Sequence, residues 1–246
     1  MLFHAPSDVD QLMAGFTCHL FATRLRFKDA MRAVKEPSLD VTPQGFGYIE
    51  QDITDTKTTS VPMSKRTLKT ALGHALGLSG VRWAEAWVAK RKAMGLDAHT
   101  DRCLLPAIDP ADNSKFMKRR LRSHEYVRWL KGFLSKSRMW SPGAQELGSH
   151  SAKATLLSWS AKYGLDFGTR RALGYHVPLK NRVVQVYSRD YQAAPMRKLE
   201  LVDSAVSDGE FRPDLPRSDM CKKRRREEAL KGQDPDEVRS SWPICT

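Results

Sequence analysis

The sequence predicts a mainly α-helical domain with a small antiparallel β-sheet, an α+β fold. Apolar residues recur at helical spacing in several segments, whereas one early segment is rich in β-branched residues and polar turn residues. Hydrophobic residues make up 41% of the 246 residues, which is enough to bury a sizeable core. Helices on both sides of one β-rich segment favour helices packed against a small sheet.

The first helix is predicted over residues 7–34, where apolar residues follow helical spacing and Ser7 can cap the first turn. Gly15 is a position that could divide this helix. A turn region containing Pro, Gly and Asp follows over residues 36–45. Residues 45–63 then predict short strands joined by hairpin turns, because β-branched residues alternate there with polar ones.

The segment 64–96 returns to helical spacing and is predicted to form two helices separated at its glycines. Trp83 and Trp87 lie four residues apart on one face and are predicted to anchor the core. Residues 97–114 have the Asp, Asn and Pro content of a connecting loop. A capped amphipathic helix is predicted over residues 123–137.

The second half of the domain begins with a helix that carries His150 and Lys153 one turn apart at its start. Its apolar residues form a stripe that faces the core. A shorter helix ends near His176, and a polar, β-branched segment then carries Tyr187. Residues 193–206 are predicted to add a last helix.

The charge predicts a polyanionic partner. Lys and Arg number 41 against 28 Asp and Glu, a net charge of +13. Such a surplus most often indicates nucleic acid and less often an anionic membrane surface. A solvated basic surface with no partner is the alternative. No apolar run approaches the roughly 18–20 residues that span a bilayer, so no membrane partner is expected.

The start of the chain lacks the basic flank and apolar core of a secretory signal, and the four cysteines form no CxxC pair. These features favour a reducing, intracellular compartment, with neither a zinc site nor a disulfide framework. The folded domain is predicted to cover residues 1–205, and the charged residues 206–246 are predicted to be a disordered tail. A basic run in the tail suits a nuclear localisation signal or a nonspecific nucleic-acid contact. It consists of Lys222, Lys223, Arg224, Arg225 and Arg226.

Five short motifs, taken in order, resemble those of the tyrosine recombinases, the phage-integrase-like family. They are Arg26-Phe27-Lys28-Asp29 for the first catalytic arginine, Thr56-Lys57-Thr58 before Val61-Pro62 for the hairpin lysine, His150-Ser151-Ala152-Lys153 for His-x-x-Arg, Leu173-Gly174-Tyr175-His176 for Leu-Gly-His with one residue inserted, and Val186-Tyr187-Ser188-Arg189 for the nucleophile segment. The match covers about residues 24–190. The chain also resembles recombinase-like open reading frames of eukaryotic mobile elements.

The resemblance implies a tyrosine-recombinase-like catalytic domain that cleaves and rejoins double-stranded DNA through a 3′-phosphotyrosyl bond, in site-specific recombination or integration. Tyr187 would be the nucleophile and Lys57 would protonate the 5′-leaving oxygen. His150 would give acid/base support near the tyrosine. The energy of the cleaved bond is kept in the protein–DNA ester, so neither metal nor nucleotide cofactor is expected.

The resemblance also implies which residues bind the DNA phosphate. Arg26 and Lys153 would hold its nonbridging oxygens, and His176 would donate to the scissile phosphate. These groups would stabilise the extra negative charge of the pentacoordinate phosphorane. The expected partners are therefore double-stranded DNA and further copies of the chain, as a homo-oligomer on DNA.

Three departures from the family pattern bear on activity. Lys153 stands where the family has arginine, and an ammonium lacks the bidentate fork of a guanidinium. Tyr187 follows His176 by eleven positions, a longer spacing than usual, so Tyr191 is a reserve nucleophile. Only some two dozen residues precede Arg26, so the family's N-terminal core-binding domain is expected to be absent. The alternatives are a catalytically degenerate, truncated DNA-binding relic of a mobile element and a basic RNA- or chromatin-binding protein.

Overall fold

Seven α-helices and two small antiparallel sheets make up the described part of the chain, so the predicted α+β arrangement is confirmed. The computed structural model describes residues 5–33, 35–53, 69–96, 104–112, 115–136, 142–176, 191–216 and 218. The helices are α1 (Asp8–Thr23), α2 (Phe27–Ala30), α3 (Trp83–Ala93), α4 (Ser123–Lys136), α5 (Ser151–Tyr163), α6 (Phe167–Leu173) and α7 (Ala193–Ser207), with a 3-10 helix at Pro142–Glu146. The strands are β1 (Ser38–Val41), β2 (Gly47–Ile53), β3 (Lys69–His74), β4 (Pro106–Ile108) and β5 (Phe116–Arg120).

Helix α1 runs through Gly15 without a break. The Ser7 hydroxyl accepts a hydrogen bond from the Asp10 amide (3.1 Å), which confirms the predicted cap. A Cβ atom at Gly15 would lie 2.1 Å from Cδ1 of Trp87. Glycine is therefore required at this position for the close approach of α3, and it does not divide the helix.

The predicted extension of the first helix to residue 34 is wrong. The helix ends at Thr23, because Arg24 takes a left-handed conformation with φ of 55°. Its amide still donates to the carbonyl of Phe21 (3.2 Å), as a helix-ending residue in this conformation commonly does. The chain then turns and enters the four-residue helix α2, which begins directly after Arg26.

The three-stranded sheet has the order β1-β2-β3 with antiparallel pairing throughout. Ile49 in β2 lies opposite Leu39 of β1 and Gly73 of β3. Helix was predicted for β3, and strand was not predicted for β1, so both predictions are wrong. Burial alternates along β3 from Ala71 onward, and a Cβ at Gly73 would lie 2.8 Å from the carbonyl carbon of Ala22. The partner strand and the close contact with α1 thus decide this conformation.

The second sheet pairs β4 with β5, and β4 lies inside the segment predicted to be a loop. Pro106 lies opposite Arg120 in this hairpin. The hairpin is held to the core because Leu105 and Ala107 are completely buried. A bond from the Leu121 amide to the Leu105 carbonyl (3.0 Å) closes the hairpin just before α4 begins.

Aromatic side chains from α1, α3 and α4 meet at the centre of the larger core. Trp83 and Trp87 are 4% and 0% exposed, which confirms them as core anchors. The ring of Phe16 lies 6.5 Å from that of Trp87 and 5.6 Å from that of Tyr126, at centroid distances typical of favourable aromatic pairs. These contacts hold α3 and α4 against α1 around Phe16.

A smaller core forms among α5, α6 and α7, and the three predicted helices in this half of the chain are confirmed. Its completely or almost completely buried members are Leu156, Leu173, Met196, Leu199 and Val202. Helix α7 contacts β3 as well as α5 and α6. It therefore packs against both the sheet and the other two helices.

The predicted boundary between domain and tail, after residue 205, lies inside α7 and is too early. Phe211 is 7% exposed and packs in the smaller core against the ring of Tyr163 (5.3 Å). The Lys162 ammonium donates to the carbonyls of Pro213 and Leu215. The folded unit thus includes residues 206–216. The basic run at residues 222–226 lies outside the described residues.

Candidate functional site

The sequence predicts that six residues form one site. Four of them lie in three stretches that the structure describes. Lys57 and Tyr187 lie outside the described residues. Arg26 follows the end of α1, His150 and Lys153 lie at the start of α5, and His176 follows α6. Contacts made by Arg24 and Tyr175, two residues that the sequence did not single out, join these three stretches.

Arg24 is completely buried and bonds to carbonyls from three parts of the chain. Its guanidinium donates to Leu173 (Nε to O, 3.0 Å), Leu72 (Nη2 to O, 3.0 Å) and Ala22 (Nη1 to O, 2.6 Å). Among the described residues no carboxylate pairs with it. A buried cation is costly unless its donors are satisfied, and here carbonyl dipoles satisfy them. Arg24 thereby fixes the turn that presents Arg26.

Arg26 lies in a different environment two residues later. It is half-buried, and within the described part of the chain its guanidinium forms no hydrogen bond or ion pair. Arg26 forms no ion pair with Asp29, three residues later in the chain, and Asp29 itself is 8% exposed. A positioned guanidinium without a carboxylate partner is suited to binding an anion.

Tyr175 is the residue inserted into the Leu-Gly-His-like motif, and it connects all three stretches. Its backbone is left-handed, with φ of 61°. Its hydroxyl donates to the Thr23 carbonyl (2.6 Å) and accepts from Nη2 of Arg24 (3.4 Å). Nζ of Lys153 lies 5.6 Å from the centre of its ring. Burial raises the pKa of Tyr175 above its ordinary value, so the hydroxyl remains a neutral donor.

Lys153 ties α5 to the same segment. Its ammonium donates to the Gly174 carbonyl (2.8 Å), next to the ring of Tyr175. An ammonium has three donors, so this bond is compatible with a further contact to a phosphate oxygen. The Gly174 bond also restricts where the charge can lie, because the donor must stay near the carbonyl.

The two histidines are exposed at helix ends. His150 directly precedes α5, and its Nδ1 lies 3.4 Å from Oγ of Ser149. The amide of His176 donates to the Arg171 carbonyl (2.8 Å), and Nε of Arg171 donates back to the carbonyl of His176 (3.3 Å). The contacts above join the backbones that carry the predicted residues. They do not include a direct contact between the side chains of Arg26, His150 and His176.

The reserve nucleophile, Tyr191, lies just before α7 and is half-buried. The next residue, Gln192, donates from Nε2 to the Ala172 carbonyl (3.0 Å), which holds the start of α7 against the end of α6. The backbone next to Tyr191 therefore lies close in space to the end of α6, the helix that precedes His176. This position keeps it as the alternative to Tyr187.

Chemically, the three stretches offer three kinds of donor that suit an anion. Arg26 supplies a guanidinium, Lys153 supplies an ammonium, and the first turn of the 13-residue helix α5 supplies backbone amides at its positive end. The exposed imidazole of His150 lies at that same helix start. Each of these donors is of a type that binds phosphate oxygens.

A second polar cluster, formed by Tyr48, His74, Glu200 and Asp203, was not predicted because its members are far apart in sequence and form no motif. Nδ1 of His74 lies 2.6 Å from Oδ2 of Asp203, and the Tyr48 hydroxyl donates to Oε1 of Glu200 (2.6 Å). Burial and the bond to Glu200 raise the pKa of Tyr48 to about 12. The cluster fastens α7 to β2 and β3.

Comparison with known proteins does not assign the chain to a family. No protein-family model matches it, and neither does any curated protein. In the ranges that the structure covers, no helix is both long and apolar enough to span a bilayer. The same ranges contain no group of three or more His, Cys, Asp or Glu side chains that could hold a metal ion.

Proposed function

We propose that this chain binds duplex DNA and cleaves and rejoins one strand through a 3′-phosphotyrosyl intermediate, as tyrosine recombinases do. The observation that supports the proposal is the contact, through Tyr175, of the three stretches that carry these motifs, which lie near residues 24, 150 and 175 in sequence. Unrelated motif matches have no reason to be neighbours in space. The net charge of +13 supports a polyanionic substrate.

In the proposed reaction the Tyr187 hydroxyl attacks the scissile phosphorus and gives its proton to a base, the role of His150. The bond between phosphorus and the 5′-oxygen breaks, and Lys57 supplies the proton that this oxygen needs to leave as a hydroxyl. Attack by a 5′-hydroxyl on the phosphotyrosine reverses these steps. The number of phosphodiester-type bonds is unchanged, so no nucleotide is consumed.

The negative charge that develops on the phosphorane is the second requirement. Arg26 and Lys153 are proposed to bind its nonbridging oxygens, with His176 donating a further hydrogen bond. Preorganised donors of this kind are each worth about 10²–10³ in rate. Arg24 holds the turn before Arg26 and is a positioning residue, since its donors are used by carbonyls.

A DNA-binding protein without cleavage is the second candidate. The bond from Lys153 to the Gly174 carbonyl favours it, because a lysine held in this way offers the phosphate a point charge and no bidentate fork. In this case the same groups would bind a phosphate without activating it. Under either candidate an intracellular, nuclear location is proposed, from the basic run at residues 222–226.

A nicked suicide duplex tests the choice between the two. The full chain is incubated with a pool of nicked duplexes of varied sequence, labelled at the 5′ end of the nicked strand. The short fragment with the 5′-hydroxyl diffuses away after cleavage, so a covalent adduct accumulates and is seen on a denaturing gel. Protease treatment should release the label from the adduct.

The matched variants are Tyr187→Phe and Tyr191→Phe. We expect the adduct to be lost in Tyr187→Phe and kept in Tyr191→Phe, with duplex binding intact in both. The reverse result would move the nucleophile to Tyr191. Duplex binding without an adduct in the unsubstituted protein would favour the binding protein, and an adduct that survives both substitutions would rule out the proposed nucleophiles.

A further inference from the structure

We propose that β5 and α4 form a second DNA-binding surface, which grips the phosphate backbone of the duplex next to the candidate site. We call it the β5–α4 surface and define it by the cations Lys118, Arg120, Arg122, Arg128 and Lys131. It rests on the proposed function only in taking DNA as the polyanion.

Charge is concentrated in this part of the chain. Residues 115–136 contain eight Lys or Arg and one acidic residue, Glu125, a formal net charge of +7 in a chain of net charge +13. The Glu125 carboxylate is already used, since it accepts from Nη1 of Arg119 (2.9 Å) and from the Arg122 amide (2.8 Å). Residues 115–136 therefore contain no further carboxylate that could offset the remaining cations.

The shape of α4 leaves these cations accessible. Tyr126 and Leu130 are buried against the core, and Nε1 of Trp129 donates to Oδ1 of Asp10 (2.8 Å), so the apolar face is fully used. Arg128 and Lys131, three residues apart, lie on the opposite face, where neighbouring side chains of a helix line up.

This outer face of α4 is open. Apart from its chain neighbours and the adjoining helix backbone, no atom of the described residues lies within 4 Å of the position that a Cβ of Gly132 would take. Arg128 is exposed and Lys131 half-exposed, and neither forms an ion pair with any residue that the structure describes. Cations placed in this way are suited to contacts with phosphates, which carry most of the sequence-independent affinity for DNA.

The β5–α4 surface borders the turn that carries Arg26. Nη1 of Arg120 donates to the carbonyl of Met31 (3.3 Å), the residue directly after α2. Phe27, the first residue of α2, stacks on Tyr126 of α4 with 5.3 Å between ring centres. Since α2 has four residues, Arg26 and Met31 lie within about one and a half helical turns of each other. One duplex can therefore contact Arg26 and the β5–α4 surface at the same time.

The aromatic residues favour a duplex over a single strand. Proteins that bind single strands expose aromatic rings on which bases stack. On α4 the rings of Tyr126, Trp129 and Phe133 form a continuous stack, and Tyr126 is buried at its inner end. The outer face offers charge without a stacking platform, which suits contacts with the backbone of a duplex.

The experiment compares charge reversal at two places in the full chain. The surface variant is Arg128→Glu with Lys131→Glu. The control is Lys92→Glu with Arg197→Glu, which changes the net charge equally at exposed positions of α3 and α7. Affinity for an intact fluorescent duplex is measured between 50 and 200 mM salt, and thermal melting verifies folding of both variants.

We expect the slope of log K against log salt to become less steep by about 2 in the surface variant, since each of the two lost phosphate contacts contributes about 0.9 to its magnitude. The slope of the control should stay near that of the unsubstituted protein. Gly132→Lys, which adds a cation to the open face, should raise the slope by about 1. Equal slopes for the surface variant and the control would overturn the proposal, as would tighter binding of duplex RNA than of duplex DNA.

The covalent-adduct assay separates this proposal from the proposed function. A surface variant with a reduced slope, in a protein that never forms an adduct, would support the β5–α4 surface and refute strand transfer. An adduct that depends on Tyr187, together with equal salt slopes, would support strand transfer and refute the β5–α4 surface.

Discussion

Replacing Tyr175 with phenylalanine removes one hydroxyl group that joins three parts of the candidate site. The substitution deletes the donor to the Thr23 carbonyl (2.6 Å) and the acceptor of one Arg24 N–H (3.4 Å). It keeps the ring that lies 5.6 Å from Nζ of Lys153. The change therefore tests the polar connection and leaves the packing in place.

The size of the destabilisation follows from the polar groups that lose a partner when the hydroxyl is removed. Thr23 is completely buried, so water does not readily replace the lost donor, and an unsatisfied buried acceptor costs about 1–3 kcal/mol. Arg24 loses less, because Nη2 still donates to the Leu72 carbonyl (3.0 Å). We expect the free energy of unfolding to fall by about 2 kcal/mol, which corresponds to a Tm lower by about 4–8 °C in a chain of this size.

Urea denaturation and thermal melting measure the effect, with Tyr163→Phe as the matched control. Tyr163 is 37% exposed, and its ring contacts Phe211 without a hydroxyl hydrogen bond to any described residue. Its loss should change stability by less than about 0.5 kcal/mol. Equal effects of Tyr175→Phe and Tyr163→Phe would show that the hydroxyl does not hold the three stretches together.

The pH dependence gives a second measurement on Tyr175. Its pKa is raised in the folded protein, mainly by burial, so above pH 10 the unfolded chain loses this proton first. The contribution to stability is complete below pH 10 and is lost as the pH rises further. Tyr175→Phe should therefore lose less stability than the unsubstituted protein between pH 9 and pH 11.

Three further substitutions have outcomes that the structure fixes in direction. Gly15→Ala should destabilise the protein by about 1–3 kcal/mol or more, because its Cβ would meet Trp87. Gly132→Ala, on the outer face of α4, should stabilise the protein by about 0.5–1 kcal/mol. Urea midpoints that move in the same direction for the two variants would contradict this. Burial lowers the pKa of His19 to about 3, so stability should fall as pH drops from 6.5 toward 3, and His19→Leu should reduce that loss when midpoints at pH 7 and pH 4 are compared. Lys153→Arg should speed adduct formation about tenfold or more, since a guanidinium can hold two phosphate oxygens, and a slower rate would show that the site is built for a point charge.

The helices of this fold are well predicted by sequence periodicity, because their burial pattern is local. The strand β3 is not, because Ala71, Leu72 and Gly73 suit a helix as well as a strand, and pairing with β2 decides between them. The end of α1 is missed for a related reason. Arginine seldom adopts the left-handed conformation. At Arg24 it does so because the buried guanidinium is hydrogen-bonded to the carbonyl of Leu173, which is far away in the sequence.

The candidate site shows the same division between local and long-range information. The order of the motifs identifies four of the candidate site residues in the sequence, because each belongs to a short pattern. These four are Arg26, His150, Lys153 and His176. The residues that connect these patterns carry no such signal. The bond from Arg24 to Leu173 joins positions 149 residues apart, and only the folded chain makes it visible. The long-range bond between His74 and Asp203 escapes sequence reasoning in the same way.

The contrast between Arg24 and Arg26 determines how the site can be dissected. Arg24 is completely buried with its donors on carbonyls, so its replacement would leave Leu72 and Leu173 unsatisfied and would disturb the turn itself. Loss of DNA cleavage in such a variant would report unfolding of the site and would not identify a catalytic group. Arg26 makes no described side-chain bond, so its replacement removes charge at the site with little cost to the fold. A catalytic role for the arginine in this motif must therefore be assigned from variants of Arg26 whose stability is unchanged.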